Sequence, residues 1–148
     1  MIITDLLIGE HGAFRALLDE IEDMATFAGD VAQIESATTV LAAEIKAHAS
    51  LEEELLFSAL EPHLESNDLL TKVHAEHREI RQGLERIEEA RDLDEALNSV
   101  RETLAILRQH FDNEEEFFYA AARQVLDDET LNRLGETWKK VRSGPQGI

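Results

Sequence analysis

The chain contains no cysteine, which removes disulfides and thiolate metal sites, so any metal held by its side chains must use imidazole and carboxylate. Proline is scarce too: only Pro62 and Pro145 occur in 148 residues, and long helices can run unbroken. Basic residues are in deficit, 14 Lys and Arg against 32 Asp and Glu, for a formal net charge of −18. No nucleic-acid partner and no anionic membrane is expected, because both are bound through Lys and Arg. No apolar run approaches the roughly 20 residues of a membrane span. The start Met1-Ile2-Ile3-Thr4-Asp5 lacks the basic opening and apolar stretch of a signal peptide, which points to a cytoplasmic location.

What is present is a chain with 43% hydrophobic residues, long enough to bury roughly 70% of its unfolded surface as one domain. No stretch alternates with the period of a strand. Apolar or histidine positions instead recur at three- and four-residue steps through Leu7, His11, Phe14, Leu18 and Ile21, through Ile34 to Leu55, through Val73 to Ile87, and through Leu97 to Glu114. The fold class expected is all-α. Thr4 or Asp5 can cap the first helix, Gly29-Asp30 separates it from the second, Glu61-Pro62 ends the second, Ser66 or Asn67 starts the third, and Asp92 or Asp94 the fourth. Joints this short make sequential helices antiparallel neighbours, an up-down-up-down four-helix bundle over about 4–125. A short fifth C-terminal helix over about 129–142, with Leu131, Leu134, Trp138 and Val141 on one face, packs across it, and the tail 143–148 frays.

The chain repeats itself. His48-Ala-Ser-Leu-Glu52-Glu-Glu-Leu-Leu-Phe57 aligns with His110-Phe-Asp-Asn-Glu114-Glu-Glu-Phe-Phe-Tyr119 at an offset of 62, and Glu10-His11 aligns with Glu76-His77 at an offset of 66. Two copies of a helical hairpin would thus relate His11 to His77, His48 to His110 and Glu52 to Glu114 by a pseudo-two-fold axis.

HxxxE is weak by itself, since about one such pair arises by chance in a chain this acidic. Its placement carries more weight. Residues four apart share a helix face, and both pairs fall on apolar seams, where an unpaired carboxylate is costly to bury. Counting from the turns, His11, His48, Glu52, His74, His77, His110 and Glu114 lie within about one helical turn in depth. Five imidazoles and two carboxylates are too many for one tetrahedral zinc and too rich in nitrogen for calcium or magnesium. Two transition ions fit the number, most readily two iron ions in an Fe–O–Fe centre bridged by Glu52 and Glu114, with manganese or zinc as possible substitutes. His74 has only Ile8 as its counterpart. One metal would then take His74, His77 and His110, and the other His11 and His48, which leaves the second an open position for O2, H2O2, NO or azide. A ferritin-like oxidase needs Glu-x-x-His pairs, and Ile8, Ile45, Thr71, His74 and Leu107 stand three before these histidines.

The ordered set resembles the hemerythrin-like (HHE cation-binding) family, whose pattern H…HxxxE…H…HxxxE matches His11, His48 with Glu52, His77, and His110 with Glu114. The resemblance covers roughly residues 4–125 and looks more like the bacterial branch, because His74 and His77 are three apart and the last motif ends in glutamate. It implies a four-helix bundle around a di-iron centre that binds or senses oxygen. A catalase- or peroxidase-like enzyme decomposing peroxide is the alternative it implies, and a metal-free acidic interaction bundle is the alternative from another class. Glu53 or Glu115 could accept a hydrogen bond from an imidazole. His63 reads as a solvated loop residue. Gly9 and Gly12 read as a loosely constrained first turn, and Tyr119 is expected to point away from the face of His110 and Glu114.

Overall fold

A computed structural model describes residues 1–27 and 30–144. Helix α1 spans Ile3–Phe27. Helix α2 spans Val31–Leu51, runs on through a π-helical stretch at Glu52–Phe57 and an α turn at Ser58–Leu60, and closes in a 3-10 turn at Glu61–His63. Helix α3 spans Asp68–Glu88. Helix α4 spans Leu93–Asn113 and likewise continues through a π-helical stretch, Glu114–Phe118, into Tyr119–Val125. Helix α5 spans Asp128–Ser143. No strand occurs among the described residues. The frayed tail and the Gly29 break expected from the sequence fall largely outside the described residues.

Side-chain caps set three of the starts. Asp30 accepts from Gln33 N–H, Asp92 from Glu95 N–H and Asp127 from Thr130 N–H, each satisfying a donor that the first helical turn leaves free. Neither Thr4 nor Asp5 caps α1. The helix already begins at Ile3, which is fully buried in a cluster with Leu131 and Leu134 of α5, so tertiary packing extends it past the polar residues. Of the apolar face expected on α5, Leu131 and Leu134 are buried, whereas Val141 is exposed and Gly135 takes an inward place against the backbone of Met1.

Helix α1 packs on α2 and α4, and α3 packs on the same two, so the four form a ring, with α5 laid along α1. The ring is filled by two apolar clusters. One contains Leu7, Leu56, Val73 and Phe118; the other contains Phe14, Ile45, Ile80 and Leu107. On each helix the seam passes from one cluster to the other through a histidine: His11 between Leu7 and Phe14, His77 between Val73 and Ile80. A polar layer therefore lies across the middle of the core.

Candidate metal centre

That layer is made of His11, His48, Glu52, His110 and Glu114, all buried to 3% exposure or less, and His77, whose side chain is 8% exposed. Burying so many ionisable groups is unfavourable unless each is paired. Here they are paired with one another. His11 Nε2 is 3.2 Å from His48 Nε2 and 3.1 Å from Glu114 Oε1; His48 Nε2 is 3.2 Å from Glu52 Oε2. On the other side, His77 Nε2 lies 2.9 Å from Glu52 Oε1 and 3.6 Å from Glu114 Oε2, and His110 Nε2 lies 3.1 Å from Glu114 Oε1. Two four-donor groups result, His11-His48-Glu52-Glu114 and Glu52-His77-His110-Glu114, and both carboxylates belong to both.

The outward nitrogens are held just as regularly. Each Nδ1 meets a carboxylate on another helix: His11 with Glu115 at 2.8 Å, His48 with Glu10 at 2.8 Å, His77 with Glu53 at 3.1 Å and His110 with Glu76 at 2.7 Å. This leaves every Nε2 facing the centre. The pairs follow the internal repeat, since Glu53 and Glu115 are equivalent, as are Glu10 and Glu76. Arg15 pairs with Glu115 at 2.7 Å, and Arg142 of α5 pairs with Glu10.

Protonation follows from these contacts. Burial opposes charging His77 and His110, but the carboxylates around them win: Glu114 and Glu52, whose oxygens lie beside its Nε2, push His77 up to about 10, and Glu114 and Glu76 push His110 up to about 9. His48 is raised well above its ordinary value; burial opposes this, and Glu52, Glu10 and Glu114 overcome it. Burial would raise Glu114, yet hydrogen bonds with Glu52, His11, His110 and His48 hold it well below the ordinary carboxylate value. Protons in the metal-free protein thus occupy places that a cation would take. Not every atom is satisfied: Glu52 Oε1, Glu114 Oε2 and His77 Nε2 are buried without a hydrogen bond. Unpaired buried carboxylate oxygens beside an unpaired imidazole nitrogen, in a layer built mainly of imidazole and carboxylate, fit a transition-metal site.

A family model described as the hemerythrin HHE cation-binding domain matches residues 2–122. The chain belongs to that family. Searches of curated proteins and of solved structures return no significant match. In this hemerythrin-family domain, six of the seven side chains singled out in the sequence come together. His74 does not: its ring is 59% exposed, with Nδ1 3.3 Å from Glu53 Oε1 and its edge against Phe57. Val73 takes the inward place instead. Each of the two donor groups contains two histidines, and His74 is in neither. His63 is exposed in the 3-10 turn.

Tyr119 also departs from expectation. Its hydroxyl lies within the layer, 2.5 Å from Glu52 Oε2, 3.2 Å from His11 Nε2 and 3.3 Å from Glu114 Oε1. The cause is the π-helical stretch. Five residues carry a side chain about 140° off the face of an α-helix, but the Tyr119 N–H bonds to Glu114 C=O, a π turn that returns position i+5 toward the face of position i. The repeat held the signal: its last aligned pair is Phe57 with Tyr119, each five after a layer glutamate, and both π stretches begin at those glutamates.

A cavity of about 440 Å³ between α2 and α3 reaches His48, His77 and His110. Ile45, Ala49, Ile80 and Phe111 make its walls apolar, while Lys46 and Arg81 also line it.

Proposed function

We propose that this domain holds two iron ions, one at each four-donor group, and binds dioxygen or a related small ligand such as peroxide or nitric oxide. The observation that carries the reading is that Glu52 and Glu114 each belong to both groups, so the two sites share their carboxylates as a bridged pair requires. Two imidazoles and two shared carboxylates do not fill an octahedral ion, and the cavity gives a small molecule a path to the layer. When bound, a pair of irons supplies electrons to, and accepts them from, a small oxygen species. Manganese or zinc could occupy the same donors.

The protein's own contribution is positional. Glu10, Glu53, Glu76 and Glu115 fix the four imidazole tautomers and raise their basicity as ligands. The two apolar clusters above and below limit water to the cavity side, which favours reversible ligand binding over leakage of reactive species. The net charge of −18 disfavours a phosphate backbone as partner.

The test is metal content per chain with an optical spectrum, before and after addition of hydrogen peroxide. Two irons per chain and a spectrum that changes reversibly with oxygen support the reading. Oxygen evolution from peroxide with turnover would place a catalase-like enzyme at the same centre, and no metal after anaerobic reconstitution would overturn both.

A further inference from the structure

We propose that Tyr119 is a fifth protein ligand to one metal only, coordinating through its phenolate oxygen the ion held by His11 and His48. The proposal rests on the di-metal reading above. Donors about 2.1 Å from one ion and at right angles to each other stand about 3.0 Å apart. The edges around the first group have that length: His11 to His48 at 3.2 Å, His11 to Glu114 at 3.1 Å and His48 to Glu52 at 3.2 Å. The Tyr119 hydroxyl continues the pattern, at 3.2 Å from His11 Nε2 and 3.3 Å from Glu114 Oε1. It donates to Glu52 Oε2 at 2.5 Å, so three of the four donor atoms of this group already surround it.

Among the described residues the second group has no such donor. Tyr119 stacks on His11 with ring centroids 5.5 Å apart, and in the other half of the repeat Phe57 stacks on His77 at 6.2 Å. Both rings are buried, and both stand five residues after a layer glutamate. The ligand sets of the two metals therefore differ by one hydroxyl. With His74 outside the layer, that hydroxyl is what makes the ions unequal.

Coordination exchanges the phenol proton for the metal: the O–H bond breaks, the oxygen keeps the electron pair for the metal, and the proton passes to solvent. A hard anionic oxygen at one ion favours its ferric state over its ferrous state. The cavity reaches both ions, through His48 on one side and through His77 and His110 on the other, and the ion near His77 and His110, without the phenolate, keeps the more open coordination and is where an incoming small ligand binds.

The chain has one tyrosine, so any tyrosinate signal belongs to Tyr119. Loading with ferric iron should give a phenolate-to-iron charge-transfer band whose resonance Raman spectrum shows tyrosinate ring modes, shifted when ring-deuterated tyrosine is incorporated. Loading with zinc should give one tyrosinate per chain by ultraviolet difference spectroscopy. Tyr119→Phe, which places at 119 the ring that already packs at 57, should remove both signals while circular dichroism stays that of the wild type. Two metals bound per chain with no tyrosinate signal would overturn the ligand role and leave the di-metal reading standing. No metal bound at all would overturn both.

Discussion

Glu115 Oε2 lies 2.8 Å from His11 Nδ1, tying the π-helical stretch of the fourth helix to the first helix, and Arg15 holds that carboxylate from the outside at 2.7 Å. Arg142 does the same for Glu10, the carboxylate on His48 Nδ1. Carboxylates in this position commonly tune metal affinity by 10- to 100-fold. Glu115→Gln and Glu10→Gln should each weaken binding by about that factor without changing the number of metals at saturation. Competition against a chelator of known affinity measures it, and affinities equal to wild type would show that these contacts do not orient the ligands.

Glu52 and Glu114 should behave differently from the outer carboxylates. Each belongs to both donor groups, so Glu52→Ala or Glu114→Ala should lose metal from both positions rather than from one. Metal content after gel filtration decides this. A variant retaining two irons per chain would remove the bridging role.

His74→Ala should retain the full metal content and the wild-type spectrum, because the ring is 59% exposed and faces Glu53 rather than the layer. Loss of one iron per chain would show that the ring swings inward when metal is present.

In the metal-free protein the stability of the layer depends on pH with a definite sign. His77 at about 10 and His110 at about 9 are raised above the ordinary 6.5 by their carboxylate neighbours. Their stabilisation is therefore fully present below about pH 6.5 and is lost as pH rises through about 9 to 10. Glu114 is lowered from 4.5, so its contribution is present above that value and lost in acid. The metal-free protein should melt highest between about pH 5 and 6.5, with Tm falling steadily toward pH 10. A metal replaces these protons, so loading at pH 8 should acidify a weakly buffered solution. Calorimetry and a pH electrode read the two effects. A Tm independent of pH from 6.5 to 10, with no proton release, would contradict protonated imidazoles in the layer.

Much of this was legible in the sequence because helix periodicity and the internal repeat are both one-dimensional signals. The seams through His11, His48, His77 and His110 follow from spacing alone, and Glu53 and Glu115 were readable as imidazole acceptors. Glu10 and Glu76 were not singled out, although they precede His11 and His77 at equivalent places in the repeat and reach across to His48 and His110. Their role depends on which helices are neighbours, which no single seam encodes. Tyr119 was misplaced because a π turn changes the angular period after Glu114, and a fixed step of 3.6 residues carries it to the wrong face. His74 was misplaced because equal depth is not equal direction. It sits one residue past Val73, and Val73 is the residue buried between the helices. At Thr4 and Asp5 the capping chemistry is sound, but the burial of Ile3 overrides it.

The glycines give a last test, in which one substitution type has opposite signs at different helix positions. Alanine in place of a helical glycine contributes about 1 kcal/mol where the added methyl meets nothing. A Cβ at Gly9 or Gly12 would meet nothing within 4 Å, so Gly9→Ala and Gly12→Ala should each stabilise by about 0.5–1 kcal/mol. At Gly83 the same methyl would stand 2.6 Å from Thr103 Oγ1, on a fully buried threonine whose hydroxyl has no hydrogen bond. Overpacking costs about 1–3 kcal/mol, enough to cancel or exceed the helical gain, so Gly83→Ala should be neutral or destabilising. The cause is separable by a double-mutant cycle. A Thr103→Ala background removes the contacts at 2.6 and 3.1 Å and leaves only the Thr103 Cβ at 3.3 Å, so Gly83→Ala should cost less there than in the wild type, read as a smaller drop in urea midpoint at unchanged slope. If Gly83→Ala costs the same in both backgrounds, the contact between α3 and α4 at Thr103 is not what limits residue 83.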